Sequence, residues 1–453
     1  MSRPVGRARR AFGSGDFRAK AAMCLLVLLL LFAAGCAKDG IIEDVSNVAR
    51  LDDVPVKTVV VWHTYSDEEN RIFEETVIPA FERANPGIRI EAVRQSSNQE
   101  YQAALIARAS ANKTPDVVRL DYAWIPRFAS HGLLEPLDGY PGYAEVAAKT
   151  GDRLLELNRI GNRTYGLPLN MNTKAAIYNR ALLEASGQKQ PPDSLRTLVD
   201  VARERHWILG MSGLEMWQSL PYFFALGGKL SDPSFARTDG YLNGEDSVRA
   251  AETMASLFRE GVLNPNLLNG AGDLWTEIYE GRKVLMMDEG PWYYSILLNV
   301  ANPKADLTRL TVAAPFPSDG ANGPIVGGES LVMTRGAAYK AEAWTFIRWM
   351  MRPETQTEMF GAGLIPTNAD ALAAAKAGGA STTYMDAFLK GIEHAYYRPP
   401  LPRWNEIDKR YEEAMEDIFL GTRDVRDILN EASAAIDRVL AEPRGASSGA
   451  GTP

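Results

Sequence analysis

From residue 57 the chain alternates short apolar runs with longer amphipathic ones. Residues 57–62 (KTVVVW) are β-branched and few, as a buried parallel strand requires. Ser66 then stands as a helix cap, with Asp67, Glu68 and Glu69 in the first turn, where acids suit the helix dipole. Ile72, Phe73, Val77 and Phe81 give that helix an apolar face, and Pro79 predicts a kink near its end. Asn85-Pro86-Gly87 turns the chain into a second strand over 88–93. A helix over about 99–111 and a strand over 117–120 follow. This order predicts an α/β lobe with a mostly parallel sheet. Ligands of such sheets sit beyond the carboxyl ends of the strands, which here are residues 63–67 and 121–124.

Residues 163–180 (RTYGLPLNMNTKAAIYNR) read as a strand leaving one lobe and entering another. Pro168 supplies no ladder donor and ends the first extended run. Residues 175–178 resume a short apolar strand, and Asn179 is placed to cap a helix over 180–185. Between them lie Asn170, Met171, Asn172 and Thr173, a polar insert that either turns in water or lines a cleft. Further on, the pattern predicts an aromatic turn and helix over 213–228, an amphipathic helix over 250–260 and strands over 281–288 and 311–314. The glycine-rich run 323–333 (GPIVGGESLVM) suggests a second crossing, where the backbone bends and approaches a ligand closely. Helices over 342–351, 406–419 and 425–440 close the pattern around a rigid proline segment, 398–404. There is no internal repeat.

The first 36 residues predict targeting rather than fold. Six basic residues precede an unbroken apolar run over 21–32, too short to span a bilayer comfortably. The run ends in Ala33-Ala34-Gly35-Cys36, which is similar to the lipobox of bacterial lipoproteins; the competing reading is an ordinary secretory signal with Cys36 incidental. The other cysteine, Cys24, would leave with the leader, so the mature body forms no internal disulfide. Loss of residues 1–35 removes a net charge of +5 and takes the chain from −8 to −13. A body this acidic, without a basic cluster, excludes nucleic acid as a partner. Residues 36–55 are expected to tether the body, and 441–453, small and polar, to form a disordered tail. With 453 residues, two lobes are expected.

The stretches VVVWHTYSDEE, ANPGIRI, TPDVVRLDYAWIPRFASHGLLEPLD, RTYGLPLNMNTKAAIYN, MMDEGPWYYS, GGESLVM, AWTFIRWMMRPETQ and RPPLPRW together resemble the family 1 extracellular solute-binding proteins. These are the sugar-binding receptors of ABC importers, and the matches cover the mature chain in the family's order. The resemblance implies a two-lobed, periplasmic-binding-protein-like fold of type II, with hinge-linked α/β lobes and a ligand cleft. It implies one lobe from 56–169 with 329–378, and another from 172–326 with 382–440. It also implies a monomer without a cofactor, anchored outside the cytoplasm by lipid on Cys36, that delivers a carbohydrate to permease subunits.

A pyranose has apolar C–H faces and a rim of hydroxyls, so its site needs flat aromatics beside planar acceptors and donors. Trp124, Trp217, Trp292 and Trp404 fall at or near predicted strand ends and loops; each alone would be ordinary core packing. On the family's pattern Trp292 is the stacking aromatic, Asp121, Asn172 and Glu215 match cleft positions, and Ser66, Asp67 and Glu68 cover the first-loop position. Glu329 is added from the second crossing, while Arg398 is read as capping the proline segment. The family's maltose-binding member carries an Asp-Lys pair about where Ser66-Asp67 stands here, so sugar specificity does not carry over.

Two other readings use the same residues. A glycoside hydrolase would take its acid and nucleophile from Asp121, Glu215 and Glu329. A ligand-presenting lipoprotein would serve a sensor kinase instead of a permease. His63, His131, His206 and His394 are scattered singly and predict no metal site.

Overall fold

Strand β1 (Lys57–His63) forms where the β-branched run predicts it, and its Val59 and Val61 are buried. The computed structural model describes residues 55–96, 99–111, 113–299, 306–320, 322–377 and 384–442. The leader, Cys36, most of the tether and the tail from residue 443 lie outside them, as do the expected lobe boundaries at 378 and 382.

The first strands are β1, β2 (Ile88–Arg94), β3 (Val117–Asp121), β4 (Leu134–Glu135), the small ladder β5 (Arg159–Ile160) and β6 (Arg163–Thr164), β7 (Leu167–Asn172) and β8 (Ala175–Asn179). Then come β9 (Ile208–Gly210), β10 (Val284–Glu289), β11 (Thr311–Pro315), β12 (Gly327–Thr334) and β13 (Ile365–Pro366). Among the described residues they build two principal sheets. The first runs β13-β7-β12-β3-β1-β2 with β4 beside β12; the second runs β11-β8-β10-β9. β1 is parallel to β2 and β3, whereas β12 is antiparallel to β3 and β7. The expected parallel start is present, and the returning strand β12 makes the sheet mixed.

Both faces of each sheet are covered, which is why the strands read as near-continuous apolar runs. Val61, Val117 and Leu331 enter a cluster with Phe73, Phe81 and Phe346, while Trp62, Val118 and Val332 enter another with Tyr101 and Phe128. Adjacent residues part to opposite faces, as the pleat demands. In the second sheet Ala176 and Tyr178 face one cluster, Ala175 and Ile177 the other. The result is two α/β lobes.

Two local features differ from the pattern-based expectation. The kink expected at Pro79 takes the form of a π turn, Phe73–Val77, just before the helix Ile78–Ala84. Pro79 has no N–H to return to the carbonyl of Glu75, and the wider turn absorbs the loss. Pro168 does not end its strand: β7 runs through it to Asn172, and the register opposite slips between Glu329 and Ser330. That bulge accommodates a residue without a ladder donor. Asn170 and Asn172 are therefore strand residues, not a turn.

β7 belongs to the first sheet and β8 to the second, so Thr173-Lys174 is a crossing between lobes. The run from β11 to β12 is another. The Thr173 hydroxyl donates to the Ile325 carbonyl at 3.0 Å and ties the two crossings together.

Candidate functional site

A cleft of about 780 Å³ lies where the crossings meet the strand ends, lined by Thr64–Asp67, Arg119, Asn170 and Glu329 and faced by Trp292. A second chamber of about 300 Å³ shares Asn172, Trp292 and Glu329 with it.

The floor is organised by Arg119, a charged residue buried within β3. Its guanidinium donates to Thr64 Oγ1 (2.8 Å), Asn170 Oδ1 (3.2 Å) and Glu329 Oε2 (2.8 Å). Asn170 Nδ2 donates to the same Glu329 oxygen at 2.7 Å, and the Tyr122 hydroxyl donates to the Asn170 carbonyl. The guanidinium also lies 4.5 Å from the centre of the Tyr65 ring, within cation–π range. Burial raises the Glu329 carboxyl above its ordinary value; Arg119 opposes that shift and Asp121 adds to it. This network joins β3 to both crossing strands, because Asn170 stands on β7 and Glu329 on β12. The side chain of Asn172 extends the floor, and its Oδ1 is buried without a hydrogen-bond partner among the described residues.

On the second lobe, Lys174 leaves the crossing and pairs with Asp288 of β10 at 2.7 Å, both side chains being buried. Tyr222 Oη donates to the other Asp288 oxygen at 2.6 Å. Gln218 Oε1 accepts from Lys174 and from Ser212 Oγ. Next to this pair Trp217 and Trp292 stack on each other, with centroids 6.3 Å apart and planes at 27°. At that spacing they are too close together to sandwich a sugar ring between them.

Of the residues singled out from the sequence, Ser66 and Asp67 line the larger chamber, and Asp121, Trp124, Trp217 and Trp404 the smaller. Asn172, Trp292 and Glu329 line both. Glu68 lies outside the lining: its carboxylate accepts two bonds from Arg71 on the outer side of its helix. Glu215 also lies outside, at the N-cap of the helix Met216–Ala225, where burial raises its carboxyl. Trp404 is not in a loop but begins the helix Trp404–Leu420 and is buried, with the Arg398 guanidinium 5.9 Å from its ring centre.

Arg119, Asn170, Arg398 and Asp408 also line the chambers. A signal for Arg119 existed in the charge inside the apolar run VVRLD. Arg398 does more than cap the proline segment, since its Nη2 lies 3.6 Å from Asp121 Oδ1. Asp408 is one turn from Trp404 and accepts from the Met216 N–H at 2.8 Å.

The glycines of the second crossing have a steric reason. Gly328 has φ +137°, and a Cβ there would collide with the Asn170 carbonyl and approach the Tyr122 ring. Gly328→Ala is expected to destabilise the protein by more than about 1 kcal/mol, read from urea unfolding. An unchanged midpoint would show that the crossing has room to shift.

Among the described residues no cluster of His, Cys, Asp and Glu is able to hold a metal, and no helix is long and apolar enough to cross a membrane.

The GacH receptor of Streptomyces glaucescens, solved unliganded and with acarbose, shares this fold. Its TM-score is 0.74 at 23% identity, over 85% of this chain and 98% of that one. A Brucella abortus protein described in general terms as a binding protein is 27% identical over 388 residues, 83% of this chain and 91% of its own. The maltotriose-binding protein of Pyrococcus abyssi is 24% identical over 376 residues, 79% of this chain and 78% of its own. The family described as bacterial extracellular solute-binding protein matches residues 76–383, and with more than half of its length inside that match the chain belongs to the bacterial extracellular solute-binding proteins.

Proposed function

We propose that the protein captures a carbohydrate in the cleft between its lobes and delivers it to the permease of an ABC importer. The observation that carries this is the junction of the two chambers. There Trp292, the Asn172 amide and the Glu329 carboxylate line both chambers, one apolar ring and two planar polar groups. The chambers, at about 780 and 300 Å³, suit a small ligand, and two connected chambers favour an oligosaccharide over a single ring. The maltotriose-binding relative and the acarbose-binding neighbour support the same ligand class.

The lobes are taken to divide at 56–169 with 329–378 and 172–326 with 382–440. The placing of β7 and β12 in the first sheet and of β8 and β11 in the second supports this division. The protein is taken to act as a monomer, as the family resemblance implies, and to be held at the membrane by lipid on Cys36, on the strength of its leader sequence. A thermal-shift screen against mono- and oligosaccharides tests the ligand class. A sugar at a hundred times its dissociation constant adds roughly 2.7 kcal/mol. Trp292→Ala is expected to weaken that sugar roughly 30- to 1,000-fold, the loss of about 2–4 kcal/mol typical of a buried aromatic anchor. An unaltered affinity would move the site elsewhere.

One observation bears on a hydrolytic reading. Asp121 and Glu329 face each other as ladder partners of β3 and β12, so two carboxylates do lie side by side. Each is engaged, Glu329 by Arg119 and Asn170, and Asp121 by Arg398 and the Ala123 N–H. Both carboxylates are thus already used as acceptors by groups of the fold itself. Turnover of a labelled oligosaccharide that is lost in Glu329→Gln would establish catalysis instead.

A further inference from the structure

Among the described residues lining the two chambers, the cations are Arg94, Arg119 and Arg398. Each has a carboxylate beside it. Arg94 meets Asp67 at 2.6 Å, Arg119 meets Glu329 at 2.8 Å and Arg398 meets Asp121 at 3.6 Å. Two further lining carboxylates, Glu69 and Asp408, have no ion-pair partner within 4 Å among the described residues, and accept only the backbone N–H groups of Ser66 and Met216. The chamber walls therefore hold five acids against three bases, and no base stands without an acid.

We infer that the cleft selects by charge: it takes uncharged saccharides and rejects those bearing a carboxylate or phosphate. This rests on the carbohydrate reading and narrows it. A guanidinium whose charge is already matched still offers N–H groups to a neutral hydroxyl. An anion placed against it must also approach the carboxylate on its far side, and like charges brought together in a partly desolvated site oppose binding. Asp121 and Asp67 thus act as exclusion groups as well as acceptors. The two unpaired acids extend the rejection to both chambers, since Glu69 lines the larger and Asp408 the smaller.

The test is titration calorimetry of the full protein with matched pairs: maltotriose and galactotriose, each beside the same trisaccharide carrying one terminal uronate. At low salt the charged member of a bound pair is expected to be weaker by roughly 30-fold or more. Raising the salt to 0.5 M is expected to narrow the gap, because screening weakens repulsion. Asp121→Asn keeps an oxygen for the Ala123 N–H (2.7 Å) while removing the charge, and is expected to narrow the gap about fivefold. A uronate that binds as well as its neutral partner overturns the inference, as does a gap indifferent to both salt and Asp121→Asn. If neutral and charged members alike fail to bind, it is the carbohydrate reading that falls, an outcome distinct from the two that overturn charge selection.

Discussion

Replacing Asp288 by alanine is expected to lower the unfolding free energy by about 3–5 kcal/mol, the usual cost of stranding one member of a buried ion pair. Lys174 and Asp288 are both buried and 2.7 Å apart, with Tyr222 on the second Asp288 oxygen and Gln218 on the ammonium. Without the carboxylate, the ammonium keeps only an amide oxygen and the Trp217 ring, whose centre is 6.0 Å away. The double variant Lys174→Met, Asp288→Leu is expected to recover much of the loss, since neither partner is then stranded. Urea unfolding of the single and double variants measures both. A single-variant loss below about 1 kcal/mol would mean that water reaches Lys174 once Asp288 is gone.

Acid is expected to weaken the fold through His63. The ring is fully buried against Tyr65 and Phe73, with centroids 5.0 and 5.2 Å away. Burial, with the positive charges of Arg119 and Arg94, lowers its pKa to about 3. The unfolded chain, whose histidine titrates near 6.5, therefore takes up the proton first. Stability that is complete above pH 6.5 is lost as the pH falls toward 3, at up to about 1.4 kcal/mol per pH unit. Glu329, Glu215 and Asp408 act in the opposite sense, because burial raises their carboxyls and the folded state binds those protons more readily.

His63→Phe isolates the histidine. The Nε2 it removes is buried without a partner among the described residues, and the bond lost at Nδ1, from the Tyr65 N–H, is a long one of 3.4 Å. Between pH 6.5 and 5 the parent is expected to lose about 2 kcal/mol more than the variant. Parallel profiles would show that His63 is protonated without unfolding.

The strands were legible because β-branched runs such as 57–62 and 117–120 have no other stable home than a sheet covered on both sides. Helices with caps were legible for the same local reason: Asn179 accepts from the Leu182 N–H at 3.0 Å, as its position before the helix implies. The site was legible only in part. Trp292, Asn172 and Glu329 meet where the crossings were expected, but Glu68 and Glu215 sit outside the lining. Whether an acid at a helix start turns toward a cleft depends on which neighbour claims it, and Arg71 claims Glu68 from one helical turn away. Asp121 and Glu329 are distant in sequence, and their pairing arises from the return of β12 alongside β3, which no local period encodes. Pro168 misled because a bulge, set by the partner strand, let β7 continue.

The floor of the cleft is built on the strands that run into the two crossings, with Asn170 and Asn172 on β7 and Glu329 on β12. Any change in the angle between the lobes must bend the peptide units next to these residues, Thr173-Lys174 and the run from β11 to β12. Ligand preference and resting lobe angle are thus a single design variable: an engineer who recuts the floor for a different sugar also resets how far the empty receptor gapes. Changes to Trp292 or Trp404, which stand on helices rather than on the crossing strands, alter the walls without touching the axle.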